Sequence, residues 1–254
     1  MTDSYRTIKL ESTDSTNTYA REMAFNPGED TPFVIITDNQ THGRGQRGTT
    51  WESEPGRNLT FSLVVRPEGL EPARQFELSM LVSLGICEAL RDKVEEPHKL
   101  RIKWPNDIYY GDRKLAGILI ENTLGLNGIE KAIIGIGLNV NQTEFLSDAP
   151  NPISLAQIGG HEFERGCILD KVVSTILKNV ARYLANPFPG ELTHSYNSQL
   201  WRAENGKYYN WRDEKIGKKI RASIVSVNPD GRLNMQDDKG VERTYLFKEI
   251  SAIL

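Results

Sequence analysis

The chain has 254 residues, enough for one large domain or for a large and a small one. It carries 31 Lys and Arg against 34 Asp and Glu, a formal net charge of −3, so a broad basic surface for non-specific nucleic-acid binding is not expected. No apolar run approaches the roughly 20 residues of a membrane span, and the polar opening MTDSYRTIKLESTDSTN is no signal peptide, so a cytoplasmic protein without a membrane partner is expected.

The stretch STDSTNTYAREMAF begins with capping residues, and Tyr19, Ala20, Met23 and Ala24 then recur at helical spacing; a short helix is predicted from Ser15 or Thr16. PFVIITD is β-branched and apolar, giving a strand over 33–37. The loop GRGQRG, residues 43–48, follows it. Its glycines fit G-x-G-x-x-G, but a dinucleotide fingerprint needs a helix to open out of the loop. Here TTWESEPGRN, with Pro55 and Gly56, leads into a second β-rich run over 58–65 instead. Arg44 and Arg47 between bare glycine N–H groups suit a phosphate or carboxylate, so the loop is expected to grip an anion in some other manner.

PARQFELSMLVSLGICEALRDKV is the clearest helix, with an apolar stripe from Leu78 to Leu90 and Pro72 in its first turn. LRIKWPNDIYYGDRKLAGILIEN reads as strand, break at Pro105, strand, Gly-Asp turn and strand. KAIIGIGLNVN is a strand apolar on both faces, hence central. ILDKVVSTILKNVARYLA and GELTHSYNSQLW are helical, and the segment after Trp201 breaks into short alternating runs split by NPDG and DDKG, a small antiparallel barrel. Hairpin-joined strands with grouped helices argue for an α+β, mixed or antiparallel sheet with packed helices. A boundary near Asn210–Asp213 divides a domain of residues 1–212 from one of 213–254. Cys87 and Cys167 fall in helix-like or apolar stretches and are expected to be buried free thiols. His42, His98, His161 and His194 show no ligand spacing.

Four pieces can carry chemistry. In KWPND, Lys103 to Asp107, the Trp-Pro pair stiffens the chain and sets Asn106 and Asp107 at the mouth of a strand; alone it reads as a capped corner. If a hairpin closes at Gly111–Asp112, Lys114 comes opposite Asp107, and Gly117 lets a ligand approach the backbone. GIGLNVN ends a central strand with Asn139, whose amide suits a flat base edge, although a packing glycine is the plainer reading of its motif. DSTN, residues 14–17, is a helix N-cap that also presents hydroxyls.

Together, GRGQRG…W, KWPNDIYYGDRKLAGILIE, GIGLNVN and DSTN resemble the biotin protein ligases, from about Ser12 to the C-terminus. The resemblance implies a sheet like that of class II aminoacyl-tRNA synthetases, with a C-terminal SH3-like barrel. It implies ATP, biotin and Mg²⁺, and a two-step reaction: biotin is activated as biotinyl-5′-AMP, then transferred to a lysine of the acetyl-CoA carboxylase carrier protein. It places Ser15, Thr16, Gln40, Gly43, Arg44 and Gly117 on biotin, with Lys114 bridging the biotin carboxyl and the α-phosphate. Arg47, Trp51, Lys103, Asn106 and Asn139 fall on the nucleotide with Arg44 and Lys114. Lys114, Arg44 and Asp107 form the catalytic set, Asp107 organising Mg²⁺ or orienting the incoming amine. Gln46 departs from the arginine that the family often has in the loop, which predicts a leakier hold on the adenylate. Some members carry a helix-turn-helix domain ahead of the ligase; with DSTN starting at residue 14, no DNA partner is expected, in a monomer or homodimer. The alternatives are a lipoate or octanoate ligase of the same architecture and a non-catalytic binding module.

Overall fold

A computed structural model describes residues 5–23, 31–126, 128–146 and 151–254, the Arg47 side chain excepted. Seven strands form one sheet: β1 (Arg6–Thr13), β2 (Phe33–Gln40), β3 (Leu59–Val65), β4 (Leu100–Lys103), β5 (Asp107–Tyr110), β6 (Arg113–Gly125) and β7 (Gly128–Leu138). Their order is β1-β2-β3-β7-β6-β5-β4. The β1–β2 pair is parallel and the others are antiparallel, so the sheet is mixed, as expected. The chain also forms five helices among the described residues: α1 (Thr16–Glu22), α2 (Gln75–Leu90), α3 (Leu155–Gly159), α4 (Arg165–Ala185) and α5 (Pro189–Ser198).

Strand alternation gives the two faces different tasks. Leu59, Phe61 and Leu63 on β3 share one core with Ile134 and Ile136 on β7, Ile118 on β6, and residues of α2 and α4. Each such side chain contributes about 1.5–3 kcal/mol on full burial. The alternate residues on the other face are Thr60 and Ser62 on β3, Gly135 and Gly137 on β7, and Gly117 on β6. Helix α1 covers part of that face, its Ala20 packing on Phe33, Ile35, Val64 and Ile133. The rest of the face has small residues because something other than a helix lies on it.

Two features of the elements so far differ from the sequence expectation, beside α3, which that expectation did not include. Strand β1 was not anticipated: its side chains are mostly exposed, and only Ile8 and Leu10 lean on the α1 cluster, so an edge strand reads as polar loop. Cys87 is buried, but Cys167 is exposed, contrary to expectation. It occupies the first turn of α4, where its backbone N–H is capped by Glu164 while its side chain faces solvent. An apolar-looking neighbourhood in sequence does not fix which side of a helix a residue occupies.

The C-terminal segment forms a second sheet from β8 (Tyr209–Asp213), β9 (Lys218–Val227), β10 (Leu233–Asp237), β11 (Glu242–Tyr245) and β12 (Ile250–Ala252), ordered β11-β10-β9-β8-β12 and antiparallel throughout. It is fixed to the first at specific points. Trp104 Nε1 donates to the Gly231 carbonyl at 2.9 Å, and the Trp104 and Phe247 rings meet edge-on at 6.4 Å. Asn197 of α5 bonds both the N–H and the carbonyl of Val227 on β9. Core residues of the two sheets belong to one continuous cluster.

Candidate active site

The small-residue face of the sheet floors a cavity of about 1150 Å³, walled by α1, the Arg-Gly loop and the C-terminal sheet. At its centre is the pair read from the sequence. The β5–β6 hairpin closes at Gly111–Asp112, with Tyr110 paired to Arg113 and Gly111 at φ 59°, where glycine carries no Cβ penalty. A register shift between Ile108 and Tyr109 pairs Lys114 with Tyr109 and Asp107 with Gly117, and the Lys114 side chain reaches across to place Nζ 2.8 Å from Asp107 Oδ1. Both side chains keep some solvent contact, so the pair adds about 1 kcal/mol or less to stability. Its chief effect is to fix an ammonium above the glycine floor. Lys103, the cross-strand partner of Asp107, donates to Tyr109 Oη at 2.8 Å. Burial, with the nearby Lys114 and Arg202 charges, holds its ammonium below the usual lysine range against the pull of Asp107.

At the β2 end, Gln40 Oε1 accepts the Thr16 N–H at 3.0 Å, which orients its amide into the cavity. Ser15 stands at the start of α1 without a capping side-chain bond and lines the same wall. The Arg-Gly loop is a small hairpin, not a helix entry: Trp51 N–H donates to Gly43 O at 2.9 Å and Gly45 N–H to Thr49 O at 2.7 Å. A Cβ on Gly43 would lie 2.4 Å from the Trp51 carbonyl and 2.8 Å from the Gln40 amide, so the glycine closes the loop base behind the cavity wall. Arg44 lines the cavity, donates to Thr18 Oγ1 at 2.9 Å and lies 3.8 Å from Glu121. The backbone of Arg47 turns within Gln46–Gly48; its side chain lies outside the described residues.

The Trp51 indole lies flat in a slot between two glycines that face each other across β6 and β7, Gly117 and Gly137. A Cβ on Gly137 would be 2.2 Å from Trp51 Cε2, and one on Gly117 3.1 Å from Cζ3. Trp51 Nε1 is buried without a hydrogen-bond partner, and Lys114 Nζ is 5.7 Å from the ring centre. Asn106 lines the cavity while its Nδ2 donates to Ile118 O at 2.7 Å. Asn139 is not on the wall. It lies behind Lys114, donating to Ile153 O at 3.1 Å and Lys114 O at 3.4 Å, and its Oδ1 is buried without a partner.

Residues 10–141 match the model of the biotin/lipoate A/B protein ligase family. The bifunctional ligase/repressor BirA of Salmonella typhimurium is 35% identical over 258 aligned residues, covering 98% of this chain and 75% of that one. The chain belongs to the biotin/lipoate A/B protein ligase family. The biotin–[acetyl-CoA-carboxylase] ligase of Paracoccus denitrificans is 37% identical over 131 residues, 52% of this chain and 53% of that protein. Among solved structures, the biotin protein ligase of Aquifex aeolicus in complex with biotin and ATP superposes with a TM-score of 0.77 at 29% identity, covering 97% of each chain.

Within this ligase fold, the motifs DSTN and GIGLNVN meet through Asn17 and Gly135, and Ser62, which no motif marked, joins them. Asn17, buried at 3% exposure, crosses over Gly135, where a Cβ would lie 2.4 Å from its Oδ1. Ser62 Oγ is 2.6 Å from Asn17 Oδ1 and 2.8 Å from Thr16 Oγ1, and Asn17 Nδ2 donates to Glu121 at 2.8 Å. This chain of contacts ties α1 to β3 and β6 and sets the Thr16–Gln40 wall. The glycines of GIGLNVN, read in the sequence as packing positions, leave room on one face of the strand for two side chains above them, Asn17 and Trp51.

Proposed function

We propose that the chain is an ATP-dependent ligase that activates biotin as biotinyl-5′-AMP and transfers biotin to a lysine of a biotin carboxyl carrier protein. The Lys114–Asp107 pair above a glycine floor carries the reading, in a fold that matches a ligase solved with biotin and ATP over nearly its whole length. In the first step a biotin carboxylate oxygen attacks the α-phosphorus, the bond to the β-phosphate bridge breaks, and pyrophosphate leaves. Lys114 stabilises the charge shared by the carboxyl and the α-phosphate. In the second, the carrier amine attacks the acyl carbon, the bond to AMP breaks, and the nitrogen sheds its proton. The Arg-Gly loop closing over the cavity shields the mixed anhydride from water.

In this reading Ser15, Thr16 and Gln40 hold the ureido ring, Gly117 offers backbone contacts, and Gly43 and Arg44 form the base and arm of the closing loop. Trp51 packs on adenine, and Lys103, Asn106 and Arg47 serve the phosphates and ribose, while Asn139, behind Lys114 and off the wall, supports that lysine's backbone instead of the adenine that the resemblance implied. Among the described residues no group of three or more His, Cys, Asp or Glu is arranged for a metal. In this reading Mg²⁺ is held mainly by the nucleotide phosphates, and Asp107 is the carboxylate paired with Lys114. The ion would neutralise phosphate charge; Asp107 itself orients the Lys114 ammonium or the incoming amine. A cytoplasmic location follows from the need for ATP, and the net charge of −3 leaves DNA out of the proposal.

The test is ATP–pyrophosphate exchange with biotin, lipoate and octanoate supplied in turn. Exchange with biotin alone is expected; exchange with lipoate or octanoate moves the chain to the other branch of its family, and none with any acid returns it to a binding role. A second expectation concerns Gln46. Gln46→Arg adds a charge-assisted contact to the adenylate phosphate and should slow biotinyl-adenylate release by roughly five- to tenfold. Equal release from the two proteins, measured by single-turnover trapping, removes that account of the loop.

A further inference from the structure

Two arginines and an asparagine converge on Glu121 of β6. It pairs with Arg21, lies 3.8 Å from Arg44, and as a carboxylate it only accepts. Asn17 therefore turns its Nδ2 to Glu121, at 2.8 Å, and gives its second amide proton to the Leu119 carbonyl at 3.3 Å. The opposite flip would set Asn17 Oδ1 against two acceptors. Asn17 Oδ1 is thus left facing Ser62 Oγ at 2.6 Å. An amide oxygen cannot donate, so the Ser62 proton goes to it. A serine has only that one proton. Toward Thr16 Oγ1, at 2.8 Å, Ser62 is then the acceptor, and Thr16 supplies the proton of that bond.

Gln40 is fixed in the same way. Its Oε1 accepts the Thr16 N–H at 3.0 Å, so Nε2 is the donor this amide has left. Gln40 Oε1 is also a second acceptor, at 3.4 Å, for the Thr16 hydroxyl proton. Whichever oxygen takes that proton, it stays within the wall. A ligand that reaches the Thr16 hydroxyl must bring a donor, and one that reaches Gln40 Nε2 must bring an acceptor. Thr16 and Gln40 both line the cavity, while Ser62 is fully buried behind them. The wall thus sets an acceptor next to a donor. The matching ligand edge is an N–H next to a C=O, as in a cyclic urea; a saturated chain or a dithiolane ring has neither.

We propose that Ser62 is a positioning residue that sets specificity: by donating to Asn17 and accepting from Thr16, it commits the Thr16 hydroxyl to receive a ureido N–H. Ser62 touches no ligand and acts through Thr16, with Asn17 and Glu121 fixing its own direction. The assignment rests on the ligase reading above and deepens it. An acid without the urea leaves polar groups of a buried wall unpaired, and that cost separates biotin from acyl-chain acids.

Five proteins test this: wild type, Ser62→Ala, Ser62→Cys, Thr16→Val and the Ser62→Ala, Thr16→Val double variant. In biotin-dependent exchange, Ser62→Ala is expected to raise the KM for biotin about five- to tenfold, with kcat and the KM for ATP within about twofold of wild type. Inhibition by octanoate, which has no urea, also stays within about twofold. Ser62→Cys fills nearly the same buried volume with a weaker donor and acceptor, and falls between wild type and the alanine variant. Thr16→Val raises the KM for biotin at least as far as Ser62→Ala, and joining the two costs almost nothing further, because the hydroxyl that Ser62 directs is already gone. Full addition of the two effects overturns the proposal. So does a Ser62→Ala protein that loses octanoate as much as biotin, which is what a slackened wall would do. Calorimetric binding of biotin to the same five proteins needs no turnover. A wild type that binds biotin but exchanges nothing fails the ligase reading, and the cycle in binding still decides the role of Ser62. Equal biotin binding by wild type and Ser62→Ala overturns that role alone.

Discussion

Lys114→Ala is expected to lower biotin-dependent ATP–pyrophosphate exchange by on the order of 10²- to 10³-fold, with the fold retained. The loss follows from geometry. Lys114 is fixed by Asp107 at 2.8 Å, beside the slot formed by Gly117 and Gly137, where no Cβ stands between it and a ligand on the floor. A positioned ammonium loses little by reorganising when charge develops on the carboxyl and phosphate oxygens, and water cannot replace it without that cost. Stability should change by only about 1 kcal/mol, because the Asp107 side chain left behind is 17% exposed and gains solvent as the lysine is removed. Lys114→Arg should recover little activity, since a planar fork cannot reproduce a point charge on a stem of different length. Exchange in Lys114→Ala within about tenfold of wild type would remove Lys114 from the chemistry.

The sequence made the order of most elements legible, and the reasons are specific. The Gly111–Asp112 turn sets Lys114 and Asp107 on adjacent strands, so their approach followed from a hairpin rule; the register shift that puts Lys114 opposite Tyr109 and Asp107 opposite Gly117 did not. The absence of a helix after Gly48 excluded a dinucleotide loop, and the loop does return through a short turn into β3. Long-range relations were not legible. Nothing local says that Asn17 lies over Gly135, 118 positions away, or that the β11–β12 turn closes a cavity opened by β5. Edge strand β1 was invisible because its pattern is set by solvent on most of its side chains. α3 was legible but not read: Ser154 and Gln157 form a capping box, and Gly160 ends the helix at φ 69°. Asn139 was placed from its motif; its position behind Lys114, with one oxygen unpaired, depends on packing that the motif does not encode.

Gly137→Ala should raise the KM for ATP by roughly tenfold or more while the protein still folds. The added methyl would stand 2.2 Å from Trp51 Cε2 and 2.6 Å from Nε1 and Cζ2, closer than any real Cβ contact. Strand β7 is central, paired with β3 and β6, and cannot yield. Trp51 is on the loop side and can, so the indole must leave its slot. The main core is on the opposite face of the sheet, built on Ile134, Ile136 and Leu138, so a melting temperature within a few degrees of wild type is expected. What the enzyme loses is a flat ring set in place before ATP arrives. A double-mutant cycle separates this route from direct obstruction of the ligand. If Gly137 acts through Trp51, then adding Gly137→Ala to Trp51→Ala should cost almost nothing further, because the side chain that needs the slot is already gone. If the two effects instead add in full, the methyl blocks the nucleotide itself, and the glycine floor is a binding surface in its own right rather than a seat for the tryptophan.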